Sequence, residues 1–170
     1  MKKLFIILFL IFSQTYLNAD MPHYLDFKFI LNESNAGKKA QNSLKSKLEK
    51  GIKSVKAKEK SIQEEEKKVI QQKKLIKPEE YKKKVDELRK KVSNLQKERN
   101  DLLENVAKQR AKARTELLKN LNPIISEYMK EKKIRMVVDK KSLLLADQNL
   151  DITKDIMDLL NKKLKSIKLN

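Results

Sequence analysis

Val69-Ile70-Gln71-Gln72-Lys73-Lys74-Leu75-Ile76-Lys77-Pro78-Glu79-Glu80-Tyr81 lies near the middle of the chain and decides its fold. Upstream, Leu48, Val55, Ile62, Val69 and Ile76 recur at seven-residue steps, helped by Leu44 and Ile52. Downstream, Tyr81, Val85, Leu88, Val92, Leu95, Leu102 and Val106 step by four and three, with Arg99 in the one skipped place. Both runs have the 3.5-residue period of a helical seam. The upstream run is the weaker, because Lys58 and Glu65 occupy its second heptad position. Pro78 breaks a continuous helix but suits the first turn of a new one, and Glu79 and Glu80 favour that positive end. The spacing therefore predicts two helices of about 40 residues that reverse at residues 77–80. Packed antiparallel, they form an arm roughly 60 Å long at 1.5 Å per residue. A narrow apolar seam makes such an arm slender, solvated and flexible.

Outward from the arm, residues 20–37 and 122–170 read as two parts of one small body. His23-Tyr24-Leu25-Asp26-Phe27 alternates like a strand. Asn32-Glu33-Ser34-Asn35-Ala36-Gly37 suits a break or cap before the first arm helix. Past the arm, Asn122-Pro123 can restart a helix or kink it, and Ile124, Ile125, Tyr128 and Met129 supply one apolar face. Ile134–Val138 and Leu143–Ala146 read as two strands of a hairpin turning at Asp139-Lys140-Lys141-Ser142. Thr153 is placed to cap a final helix, with Asp155 and Asp158 in its first turn and Ile152 positioned to staple onto Met157. Its buried stripe is Ile156, Leu159 or Leu160, Leu164 and Ile167. The expected fold class is α+β: a long helical hairpin, residues 38–121, projecting from a small sheet-bearing body. Sheets this small are marginal alone, so the body is expected to self-associate.

Composition narrows the function. Among 170 residues, Gly (2) and Pro (3) are too rare for a barrel or sandwich built on many turns, whereas charged residues reach 38%. The chain has no Cys and one His, His23. Disulfides, thiolate chemistry and multi-His metal sites are therefore excluded. His23, Asp26 and Ser34 lie close in sequence, yet nothing assembles a general base, an oriented nucleophile and an oxyanion hole. No catalytic, cofactor or metal residues are expected, and the chain is not read as an enzyme.

Met1-Lys2-Lys3, the apolar run Leu4–Phe12 and the polar stretch ending Asn18-Ala19-Asp20 read as a secretory signal peptide over residues 1–19, cut between Ala19 and Asp20. The apolar run is far below the ~20 residues that span a bilayer. Export to the periplasm follows.

Net charge is +18, and its placement is uneven. Residues 38–121 hold 27 Lys/Arg against 13 Asp/Glu, a net +14, whereas the body is nearly neutral. A long basic surface attracts acidic partners: nucleic acid, anionic lipid or an acidic protein chain. Export disfavours nucleic acid, and Tyr81 is the arm's only aromatic, so base-stacking platforms are missing.

Local segments add a resemblance. Tyr24-Leu25-Asp26, followed by Ile30-Leu31-Asn32-Glu33-Ser34-Asn35-Ala36-Gly37-Lys38-Lys39-Ala40, resembles the opening of the Skp (OmpH) family of periplasmic chaperones. Met136-Val137-Val138-Asp139-Lys140, Leu145-Ala146-Asp147 and Leu150-Asp151-Ile152-Thr153 resemble its closing segments. The resemblance implies a homotrimer whose bodies join in a central barrel-like core, with three arms around a cavity. It also implies ATP-independent holding of unfolded outer-membrane β-barrel proteins, with no cofactor. Mobile arms suit that task, because many weak contacts tolerate many sequences and excess lysine speeds capture of acidic clients. The client-contact residues expected on the arm are Lys53, Lys56, Lys60, Lys67, Lys68, Lys82, Lys83, Lys90 and Lys91. Lipopolysaccharide or an anionic membrane surface are further acidic partners, not placed on particular residues. The competing reading is a coiled-coil scaffold of the envelope, which leaves the β segments at both ends without a role.

Overall fold

The computed structural model describes residues 21–169. The expected signal peptide and its Ala19–Asp20 junction lie outside the described residues. The chain forms a short strand β1 (His23–Leu25), then α1 (Phe27–Glu33), α2 (Asn35–Gln72) and α3 (Pro78–Lys132). Strand β2 (Val137–Asp139) and α4 (Thr153–Lys163) follow, with 3-10 turns at Lys140–Ser142 and Gln148–Leu150 between them.

The reversal occurs as the sequence predicts. Pro78 opens α3, with Glu79 and Glu80 in the first turn. Here the missing proline N–H costs nothing, and the carboxylates meet the positive helix end. α2 and α3 run antiparallel, joined side chain to side chain by Lys47 to Asn105 and Gln109, Lys58 to Glu98, Lys91 to Glu65, and Lys84 to Gln72.

Ser34 makes the join between α1 and α2. Its N–H donates to the Ile30 carbonyl and its hydroxyl accepts from the Gly37 N–H at 3.2 Å, so one buried residue ends one helix and caps the next. A Cβ on Gly37 would lie 2.0 Å from the Leu31 carbonyl oxygen, so only glycine allows this close turn.

The core gathers where the chain ends meet. Ile30, Leu121, Ile156 and Leu160 are completely buried there, with Leu25, Leu117, Ile124 and Ile152 around them. Of the two candidates for the last helix's stripe, Leu160 is buried and Leu159 faces out. Three backbone ties close this body: Ile152 N–H to the Tyr24 carbonyl, Asp26 N–H to Thr153 Oγ1, and Asn35 N–H to Asn161 Oδ1.

Several sequence expectations are corrected. The first strand stops at Leu25, not Phe27, because the Asp26 carboxylate accepts from the Phe29 N–H and caps α1. The expected β-hairpin is absent. Leu143–Ala146 is not a strand, and Val137–Asp139 pairs instead with His23–Leu25, in parallel. Tight hairpin loops favour residues at positive φ; Asp139–Ser142 supplies none, and the Asp139 side chain accepts from the Lys141 N–H to start a 3-10 turn. Thr153 does not cap α4. Its own N–H is taken by Asp151, and its hydroxyl serves Asp26. Asn122-Pro123 does not interrupt the last long helix, which runs unbroken to Lys132.

Candidate functional site

The hairpin is nearly coreless. From residue 45 to residue 105 not one side chain is buried. Burial begins only at Leu44 on α2 and Val106 on α3, close to the body. Apolar burial is the main stabiliser of packed helices, so the outer hairpin is weakly held and open to partners.

What replaces a core is a series of polar rungs. Lys58 Nζ lies 2.6 Å from a Glu98 carboxylate oxygen, Lys91 pairs with Glu65, and Lys84 Nζ donates to Gln72 at 2.8 Å. Each rung is seven residues further along α2 and seven residues back along α3. The charges that weaken the upstream seam in the sequence are thus matched across it, and they set the register of the helices. Toward the body, Gly51 faces Leu102, whose Cδ1 would lie 2.5 Å from an added Cβ.

The nine lysines expected to contact a client are all on the hairpin and all exposed. Eight stand free of ion pairs. Lys91 does not, because Glu65 holds it in a rung. Heptad position separates the lysines by face. Lys53, Lys60 and Lys67 fall at the heptad position farthest from the seam, and Lys74 continues the row. Lys83 and Lys90 do the same on α3, and Lys97 continues that row. Successive lysines in each row stand about 10.5 Å apart along the helix. Lys74 and Lys97 are absent from the expected set, although their seven-residue spacing was a usable signal. Lys56, Lys68 and Lys82 flank these rows.

Between the helices, close to the reversal, an open groove of about 560 Å³ is lined by Val69, Ile70, Tyr81, Val85, Leu88 and Val92, among others. Lys73 lies 5.9 Å from the Tyr81 ring centroid at one end. A smaller hollow of about 270 Å³ opens on the rung side and is walled by Lys58, Glu65, Lys91 and Glu98. Sequence spacing assigns Val92 to the seam, yet it is 54% exposed. Leu88 and Leu95, at the other seam position of α3, are half-buried, whereas Val92 opens to one side.

Among the described residues no group of His, Cys, Asp and Glu could hold a metal ion. Nor is any helix among them long and apolar enough to cross a membrane. On the hairpin, the Lys108 amine is held above its ordinary pKa and the Glu104 carboxyl below its own, by their hydrogen bond and then their opposite charges. That is an ordinary one-turn helix pair. Tyr128, in the body, is pushed up to about 12 by burial and by its hydrogen bond to Asp155.

Residues 23–160 match the family model described as Outer membrane protein (OmpH-like). Comparison with curated protein sequences finds no match. Among solved structures, the fold is similar to that of a protein from Caulobacter crescentus CB15, described as a candidate outer membrane chaperone (OmpH-like). The TM-score is 0.81 at 19% identity, over 87% of this chain and 89% of the other. At that identity the likeness shows a shared fold. The family model spans both parts of the body and the whole hairpin, and the chain belongs to the OmpH-like family.

Proposed function

We propose that this protein is an ATP-independent holdase of the periplasm, which binds unfolded outer-membrane β-barrel proteins and keeps them from aggregating before insertion. The observation that carries the reading is the pairing of a compact body with a basic hairpin that has no fully buried side chain over residues 45–105. A binder of many unfolded chains needs a large, adaptable, weakly self-satisfied surface, not a shaped pocket. The net +14 on residues 38–121 draws acidic clients, and the free lysines Lys53, Lys56, Lys60, Lys67, Lys68, Lys82, Lys83 and Lys90 act as the steering groups. Lipopolysaccharide and anionic lipid are secondary acidic partners of this reading, assigned to no particular residues; nucleic acid is not expected.

The body is proposed to form a homotrimer that sets three hairpins around a shared cavity. Leu144 and Leu145 are fully exposed and Met136 largely so, next to the two-stranded sheet. Such a patch on a small body favours burial against another copy. Sedimentation equilibrium should give three chains per particle, and a strict monomer sinks the shared cavity. For the holdase itself, an unfolded β-barrel protein is diluted from urea with and without the full chain, in the absence of nucleotide. Suppressed light scattering, weakening as salt rises, is the expected result. Unchanged scattering from folded protein removes the holdase reading and leaves an envelope scaffold.

A further inference from the structure

The two sides of the hairpin are chemically different. Five large apolar side chains are exposed on α2, α3 and the turn between them: Ile52 (40%), Ile70 (58%), Leu75, Val92 (54%) and Leu103 (49%). Leu75 sits in the reversal itself. The other four share one side. Ile70 and Val92 line the open groove directly. Ile52 lies two heptads before the groove residue Glu66, and Leu103 two heptads after the groove residue Arg89. Whole heptads preserve the face in a seam of this period. The opposite side carries the rungs Lys58–Glu98 and Glu65–Lys91, which roof the helix junction with charge.

Resting on the holdase reading, we infer that the groove side of the hairpin is the client-contacting face, and that its occupant is an extended, acidic-to-neutral segment of unfolded polypeptide. The rung side is then structural. Two features select that occupant over a second copy of the hairpin. First, each hairpin carries +14, so two hairpins laid side by side repel along their length, whereas an acidic-to-neutral chain does not. Second, the apolar spots suit an extended chain. Ile52 and Leu103 stand level with each other, and the groove begins some ten residues beyond them, about 15 Å along the helix. An extended segment rises about 3.3 Å per residue and alternates its side chains. A strand of 9–11 residues, the length that crosses an outer membrane, reaches from one spot into the groove. Its apolar side then lies on Ile52, Leu103, Val92 and Ile70, and its polar side stays in water. Lys82, on the same side of α3, meets client carboxylates at the rim, beside Arg89, which pairs with Asp86 at 3.4 Å.

The absence of native cysteine makes the test direct. Single variants Ile70→Cys, Val92→Cys and Leu103→Cys on the groove side, and Ser61→Cys and Asn94→Cys on the rung side, are made in the full chain. Each carries a thiol-linked photo-crosslinker and is mixed with a β-barrel protein diluted from urea. All five positions are at the surface, so folding is preserved and is checked by circular dichroism. Crosslinking to the client is expected to be at least fivefold greater from the groove side. Equal yields from both sides, or an excess from Ser61→Cys and Asn94→Cys, overturn the face assignment. So do crosslinks from Val92→Cys that join two copies of this chain instead of chain and client. Light scattering with the unsubstituted chain separates the two levels. Suppression with symmetric crosslinking overturns the face alone, whereas absence of suppression overturns the holdase reading and the face with it.

Discussion

Leu102 of α3 packs over the bare Cα of Gly51 on α2, where an added Cβ would lie 2.5 Å from both its methyl carbons. The contact joins the two long helices between the rungs and the body. Gly37 is the other glycine, and its neighbour is of a different kind: the backbone oxygen of Leu31. Leu102 can swing aside, but the α1 backbone cannot. Gly51→Ala gains about 1 kcal/mol of helix propensity and loses about 1–3 kcal/mol to overpacking. Its net effect on stability is expected to stay within about 2 kcal/mol. Gly37→Ala meets backbone and is expected to cost more than Gly51→Ala. Urea denaturation of the two variants side by side checks the order; equal losses would mean that α1 can shift away from Ser34.

The rungs predict register-specific coupling. Glu65→Lys places two lysines opposite each other at position 91, and adding Lys91→Glu restores an opposite pair. These groups are about half exposed, so the coupling energy from a double-mutant cycle should be only about 0.2–1 kcal/mol. It should shrink in high salt. A coupling of zero at low salt would show that seam packing alone sets the register.

Pro123 lies inside α3, where it cannot donate to the Lys119 carbonyl. Buried Leu121 and Ile124 on either side hold the helix to the core despite that loss. Pro123→Ala is expected to restore the missing bond and raise stability, by up to about 3 kcal/mol. Thermal melts followed by circular dichroism measure this. A lower melting temperature would show that the proline's geometry is needed to aim α3 at the body.

Tyr128 hydrogen-bonds to Asp155 and so ties α3 to α4. Burial, and then this bond to a carboxylate, raise its pKa to about 12. An unfolded tyrosine ionises near pH 10. Between those values the folded state keeps a proton that the unfolded state has lost, so the stabilising contribution is intact below pH 10 and falls as pH rises toward 12. Tyr128→Phe should flatten this part of the stability profile relative to the unsubstituted chain. Denaturation midpoints at pH 9 and pH 11.5 test it, and identical pH slopes for the two proteins would discount the Tyr128–Asp155 tie.

The helical hairpin was legible in the sequence because its determinants are local. Seven-residue steps from Leu48 to Ile76, the four-three steps from Tyr81 and the placement of Pro78 before two glutamates all act within a few turns of helix. The exposure of all nine lysines followed from the same spacing, since positions off a helical seam face water. A cap somewhere within residues 32–37 was equally local, and the structure picks out Ser34 as the residue that makes it. The tertiary structure alone decided the rest. Val137–Asp139 could pair with a neighbouring segment or a distant one, and the choice of β1 depends on where the 100 residues of α1, α2 and α3 deliver the chain end. Pro123 is accommodated because buried neighbours from other elements hold its helix. Seam spacing also leaves the rotation of one helix against the other free. Only side-chain packing across the pair turned Val92 outward, drew Lys91 into a rung with Glu65, and left Ile52, Ile70, Val92 and Leu103 exposed on one side of the hairpin.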